Sequence, residues 1–257
     1  MQKEIFKKDI DHLLYLIAKE YKKQNKNYPE AEIIIVGGAS VMLNYNFREK
    51  TTDLDVLIKA SSTMKDIINK IGDENGLDTG WLNQDFKQTA SYSDKLVECS
   101  KFYKTFCNCL SVRTVSDEYL IAMKMMSGRI YKKDFSDIIG IIKDKAERNN
   151  PISKEDINLA ITKLYGKEAL NKIDKKVMDL IDTIFTSSDL EELYYNTLVE
   201  ETKNKNILLK IENTSSTSLN QNNVNTFIEN YSKNIKSIPS EVTEIKMEIY
   251  NKEIEKE

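Results

Sequence analysis

Residues 33–59, IIIVGGASVMLNYNFREKTTDLDVLIK, limit the possible folds of this chain more than any other stretch. Ile33, Ile34, Ile35 and Val36 run into Gly37-Gly38, the pattern of a buried strand entering a tight turn. Residues 39–43 then read as a short helix. Leu54, Val56 and Ile58 follow at every second position, interleaved with Asp53 and Asp55. Side chains on a strand alternate between faces, so the two aspartates point one way and Leu54 and Val56 point into a core. Two carboxylates side by side make an oxygen-rich corner of the kind magnesium prefers. A Gly-Gly turn at a helix start lets backbone N–H groups approach a phosphate, and the helix dipole favours the anion there.

Each half of the pattern is weak by itself. Gly-Gly alone is usually a tight turn with no ligand. Asp-x-Asp alone recurs by chance, and this chain contains a control, Asp9-Ile10-Asp11. That second pair falls in an apolar-periodic stretch that reads as a helix, where residues two apart do not face each other. The specific signal is the combination: apolar strand, Gly-Gly, helix, then two acids on a second apolar strand. Two like charges on one strand face also disfavour each other unless a cation or solvent lies between them.

The remaining chain fits around this unit. Residues 4–23 carry Ile5, Ile10, Leu13, Leu14, Ile17 and Tyr21 at helical spacing, and residues 24–29 break it. A helix follows from Ser61 or Ser62, with Met64, Ile67, Ile68 and Ile71 inward. Trp81 reads as a packing residue rather than a base-stacking one. Residues 91–108 fit either a helix, through Leu96, Cys99, Phe102, Tyr103 and Phe106, or the opening of a strand at 96–99. Leu110, Val112 and Thr114 alternate as a third strand. Helices are expected over 116–127, closed by Gly128, and over 132–148, where Asp134 and Asp137 share a face at i and i+3. Asn149-Asn150-Pro151 marks a boundary, and from Ser153 the chain reads all-helical. Ser153 to Asp156 and Ser188 to Glu191 look like capping boxes. Leu170, Ile173, Val177, Leu180, Ile181 and Ile184 form one stripe. A polar loop over 215–223 separates two last helices, the final one carrying Val242, Ile245 and Ile249. The expected architecture is α+β: a small mixed sheet flanked by helices in residues 1–149, then an all-helical region, residues 150–257.

Composition narrows the partners. A net charge of −3 over 257 residues argues against tight non-specific DNA binding, which runs on phosphate neutralisation. Arginine occurs only at Arg48, Arg113, Arg129 and Arg148, so arginines inside the motif region carry extra weight as phosphate ligands. Cys99, Cys107 and Cys109, with a single histidine, His12, lack a zinc-ligand pattern and point to a reducing cytoplasm. No apolar run is long enough for a membrane span, and the N-terminal stretch lacks the apolar core of a secretion signal.

Gly37-Gly38-Ala39-Ser40, Arg48 and Thr51-Thr52-Asp53-Leu54-Asp55 form the first part of a longer set. Trp81-Leu82-Asn83, Tyr119-Leu120-Ile121-Ala122-Met123-Lys124, Arg129 and Asp134-x-x-Asp137 complete it. Together they resemble the nucleotidyltransferase superfamily with the DNA polymerase β-like fold. Within it they more closely resemble the bacterial branch holding the AbiEii-type toxins and related uncharacterised nucleotidyltransferase-like proteins. The resemblance covers roughly residues 30–145. It implies that Asp53 and Asp55 hold one or two Mg²⁺ ions and that Gly37, Gly38, Ser40, Arg48, Thr52 and Arg129 contact the nucleotide. Lys124 would reach the phosphates, and Asp134 or Asp137 would complete the site. Lys124 and these acids have an alternative use as interhelix ion pairs, and Arg48 as a loop anchor. The implied substrate is an NTP. The implied acceptor is a hydroxyl of tRNA, protein or a small molecule such as an aminoglycoside, and the implied partner is a cognate antitoxin or phage-defence component.

The chain departs from the superfamily pattern at the third carboxylate, normally on a later strand. Residues 109–115 contain no Asp or Glu. Glu98 serves only if 96–100 is a strand reaching the site, and Asp117 and Glu118 lie just past the later strand. Two readings follow: an active magnesium-dependent nucleotidyltransferase, or a module of the same fold that binds a partner through its helical C-terminal half.

Overall fold

A computed structural model describes residues 3–25, 30–214 and 223–234. The chain divides into two compact units. One comprises residues 1–127 with 140–173, and the other residues 128–139 with 174–257.

The first unit opens with β1 (Ile5–Phe6) and α1 (Lys7–Gln24), then β2 (Ala31–Ile35), α2 (Gly37–Asn44), β3 (Lys50–Thr51), β4 (Leu54–Lys59) and α3 (Thr63–Glu74). It continues through β5 (Leu82–Asn83), β6 (Ser100–Phe106), β7 (Leu110–Val115) and α4 (Asp117–Ser127). Helix α5 (Asp134–Glu147) contributes its later turns, and α6 (Lys154–Tyr165) follows. Five strands form a mixed sheet in the order β5-β4-β2-β7-β6. The β2–β7 and β4–β5 pairs are parallel, and β2–β4 and β6–β7 are antiparallel. A separate two-stranded ladder joins β1 to β3, with Ile5 opposite Thr51.

The core follows the sequence pattern. Ile33, Ile35, Leu54, Val56 and Val112 are buried together with Ile10, Leu14 and Ile17 of α1 and Ile67 and Ile71 of α3. Helix α2 packs on β4, β7 and α4, and α4 packs on α6. Trp81 is buried, its indole N–H donating to Ile68 O at 3.2 Å, and a β-carbon at Gly72 would stand 2.5 Å from that nitrogen. It is the packing residue the sequence suggests.

Several local readings are corrected. The first helix starts at Lys7, because Ile5 and Phe6 pair with β3. The ambiguous stretch 91–108 is a 3-10 turn at Asp94–Leu96 followed by β6, so Phe102 lies on an edge strand and is exposed. Two strands escape the periodicity, because β5 is two residues long and β6 lacks clean alternation across its irregularity between Phe102 and Lys104.

The second unit comprises the first turns of α5, α7 (Lys175–Thr186), α8 (Leu190–Thr214) and α9 (Val224–Asn234). Val177, Ile181 and Ile184 form the buried stripe of α7, whereas Leu170 lies in a 3-10 segment that belongs to the first unit. Ile207, Ile211, Val224 and Ile228 form a cluster with Ile130 and Tyr131 packed against it. The capping box expected at Ser153 is present, with Ser153 and Asp156 bonding reciprocally. The cap of α8 falls on Asp189 instead, whose Oδ1 accepts from Glu192 N at 2.9 Å. The final helix expected around Val242, Ile245 and Ile249 lies outside the described residues, as do residues 26–29 and 215–222 of the expected breaks.

Candidate active site

The antiparallel pairing of β2 and β4 builds the site. Ile35 lies opposite Val56, so the residues leaving β2 meet the residues entering β4. Val36 N–H donates to Asp55 O at 2.9 Å, locking the two together just before the turn. Gly37 has φ +57°, a left-handed conformation that glycine adopts without strain. A β-carbon there would stand 3.4 Å from Asp55 Oδ2, so the carboxylate of Asp55 faces the turn. Leu54 and Val56 are fully buried while Asp53 and Asp55 are half-buried, as the alternation requires. Asp53 precedes β4, and its carbonyl accepts from Thr51 Oγ1 at 3.0 Å; Thr52 is half-buried in the same bend.

Gly38 has a different task. A β-carbon at Gly38 would stand 2.3 Å from Arg48 Nη2, so the guanidinium lies directly against this glycine. The turn thus carries a cation on one side and a carboxylate on the other. Ser40 is fully buried, and its hydroxyl oxygen accepts from Val115 N at 3.1 Å, tying α2 to the end of β7. Its side chain is engaged with the sheet, not with the turn. Lys124 is buried in α4, the helix packed on α2.

Beside the acid strand lies β5, in parallel register with Asp55 opposite Asn83. The residue next to Asp55 on the neighbouring strand is therefore an amide. Asn83 Oδ1 accepts from Asp85 N at 2.8 Å, and its Nδ2 donates to Gly80 O at 3.0 Å. The sequence offers Glu98, Asp117 and Glu118 as a third carboxylate. Glu98 is exposed in the turn before β6, and β6 is three strands from β4, roughly 14 Å across the sheet at about 4.8 Å per strand. Asp117 is occupied otherwise. Its Oδ1 accepts from Tyr45 Oη at 2.5 Å and from Lys101 Nζ at 3.2 Å, and its Oδ2 accepts from Lys145 Nζ at 2.9 Å. Burial alone would raise the Asp117 pKa, but the bonds from Tyr45 and Lys145 and the charge of Lys101 outweigh it and hold it low. Burial and the Asp117 charge push the Tyr45 phenol well up. Nothing local in the sequence marks Tyr45 as a partner of a residue 72 positions away.

Arg129, Asp134 and Asp137 belong to the second unit. Arg129 grips Asp134 with a two-pronged bond, Nε to Oδ2 at 2.8 Å and Nη2 to Oδ1 at 3.0 Å. Asp134 and Asp137 are both buried in the first turn of α5. A third acid, Glu201 of α8, is buried against that turn and bonds to Phe135 and Ser136. Glu201 was not legible beforehand, since it lies in a charged run of α8 that reads as a solvated face.

Among the described residues no group of three or more His, Cys, Asp or Glu forms a metal-binding cluster. Asp53 and Asp55 nevertheless fit magnesium in kind. Their donor set is all oxygen, and Mg²⁺ is commonly held by one or two carboxylates plus substrate phosphates rather than by a complete protein cage.

The mixed sheet, the left-handed glycine turn and the acid on the adjoining antiparallel strand all fall within the residues matched by one family model. The chain belongs to the family described as "Nucleotidyltransferase of unknown function (DUF6036)", whose model matches residues 12–144. No curated protein and no solved structure matches it. Among the described residues no helix is long and apolar enough to cross a membrane.

Proposed function

We propose that this protein transfers NMP from an NTP to a hydroxyl acceptor, with Mg²⁺ held by Asp53 and Asp55. The observation that carries the reading is the carboxylate of Asp55 facing the left-handed turn at Gly37. A triphosphate held by the backbone N–H groups of Gly37 and Gly38 and by the Arg48 guanidinium would bring its α-phosphate toward that acid. The acceptor oxygen attacks the α-phosphorus, the bond to the bridging oxygen of the β-phosphate breaks, and pyrophosphate leaves. The acceptor's proton passes to water. Bound Mg²⁺ supplies charge neutralisation at the phosphates during this displacement. Lys124 is assigned to the phosphates, and Arg129, Asp134 and Asp137 to an auxiliary role; both assignments rest on the resemblance. The acceptor is tRNA, a protein or a small molecule, and membership of the AbiEii-type branch with a cognate antitoxin in the cytoplasm is the biological setting this reading suggests.

Asn83 favours a second reading. The strand neighbour of Asp55 is an amide and adds no third carboxylate to the site, which suits a partner-binding module acting through the helical C-terminal half. One experiment separates the two: labelled NTPs, Mg²⁺ and total RNA, compared with Asp53→Ala/Asp55→Ala. Label transfer that depends on the aspartates supports the enzyme. Absence of nucleotide binding, with or without metal, supports the module.

A further inference from the structure

Helix α5 begins at Asp134, so its first N–H groups have no partner within the helix. A residue from α8 supplies one. Glu201 Oε1 accepts from Phe135 N at 2.7 Å and from Ser136 N at 3.3 Å, while Oε2 lies 2.5 Å from Ser136 Oγ. All of these groups lie within the second unit. Glu201 and Ser136 are 4% and 1% exposed, so water does not substitute for either. This is a helix cap delivered from 65 residues away rather than by a neighbour in sequence.

We propose that Glu201 is a positioning residue that clamps the N-terminus of α5 and fixes the turn that carries the buried Asp134 and Asp137. The functional part of this proposal rests on the reading that the Asp134–Asp137 motif serves transfer. The clamp operates as the neutral acid. Three carboxyl groups, those of Asp134, Asp137 and Glu201, are buried around one helix turn, with Arg129 committed to Asp134. The other charged groups around Glu201 are Glu200 on its own helix, Lys176 on α7 and Glu229 on α9, the last two paired with each other. No cation among them bonds Glu201 directly. Burial raises the Glu201 carboxyl to about 8, with the charges of Asp137 and Asp134 adding to the rise. The Ser136 hydroxyl donates to Oε2 of the ionised carboxyl; at this separation a protonated Oε2 would donate to Ser136 Oγ instead, while Oε1 keeps the Phe135 N–H. A cavity of about 440 Å³ is lined by Phe135, Glu201 and Asn204.

The test uses the full chain with Glu201→Ala and Glu201→Gln. Amide exchange at Phe135 and Ser136 is followed by NMR, and transfer is assayed from pH 6 to 9. Glutamine reproduces the neutral acid, with an oxygen for Phe135 N–H and an N–H for Ser136 Oγ. Glu201→Ala is expected to speed exchange at both amides about tenfold, the loss of one helix cap, and to lower transfer in step. Glu201→Gln is expected to restore both, and to remove the decline in transfer expected of the parent protein above about pH 8. Unchanged amide protection in Glu201→Ala overturns the clamp. Damage from Glu201→Gln equal to that from Glu201→Ala overturns the neutral-acid form. Wild-type transfer by Asp134→Asn/Asp137→Asn would sink the motif's role, and the amide measurement still decides on the clamp.

Discussion

Replacing Gly38 by alanine separates the two tasks of the glycine pair. Gly38 sits in the first turn of α2 without a left-handed backbone, so alanine is conformationally allowed there. Alanine should favour the helix by up to about 1 kcal/mol. Its β-carbon, however, would stand 2.3 Å from Arg48 Nη2 and 2.6 Å from Arg48 Cζ. Those atoms are the far end of a flexible side chain, so the guanidinium swings away and the fold survives. If Arg48 grips the triphosphate, its withdrawal removes a charge-assisted hydrogen bond worth about 1.5–3 kcal/mol, roughly a 10- to 100-fold loss in NTP affinity. Titration with a fluorescent NTP analogue reads the affinity, and a thermal melt reads the fold. A double-mutant cycle with Arg48→Ala closes the argument, because Gly38→Ala should add almost nothing once the guanidinium is gone. Wild-type affinity in Gly38→Ala, or losses that add in the double variant, would refute the role given to Arg48.

Three further outcomes are expected. Asp53→Ala/Asp55→Ala should abolish transfer, by about 100-fold or more, while melting near the parent temperature because both side chains are half-buried and outside the core; equal transfer by parent and variant would contradict the site. Asp117 is held below its ordinary pKa, so its contribution is present above the usual carboxylate range and disappears as pH falls through the lowered value. Asp117→Asn should therefore melt lower than the parent at pH 7, with the gap closing below about pH 4; a gap independent of pH would point to packing instead. Glu201 has the opposite sign. Its raised pKa means the folded state holds an extra proton, so stability should decline as pH climbs from about 5 toward 8, by up to about 1.4 kcal/mol per pH unit. Glu201→Gln should flatten that decline in denaturant titrations, and an unchanged slope would count against a buried neutral acid.

The features legible in the sequence were those written at short range. Ile33 to Val36, Gly37-Gly38 and the Leu54/Val56 alternation announce themselves through period and punctuation, and the structure places each as a strand or a turn. Long-range pairings were not legible. Two-residue strands such as β5 have no period to detect, so Asn83 gave no sign that it would stand opposite Asp55. Ser40 reads as a phosphate ligand because hydroxyls suit phosphates; only the packing of α2 on β7 shows that its oxygen serves Val115. Glu201 illustrates the same limit, since the N–H groups that retain it belong to another helix.

The two-stranded ladder between β1 and β3 bears on how variants of this protein behave. Ile5 is paired with Thr51, Lys7 N–H donates to Glu49 O, and Lys50 is bridged to Glu4, so a short N-terminal splint is fastened across the segment joining Arg48 to Asp53. Substitutions at Ile5 would register as chemical defects although no reacting atom lies near them in sequence. A mutational scan that ranks positions by lost turnover would then mistake a brace for machinery unless folding is scored alongside.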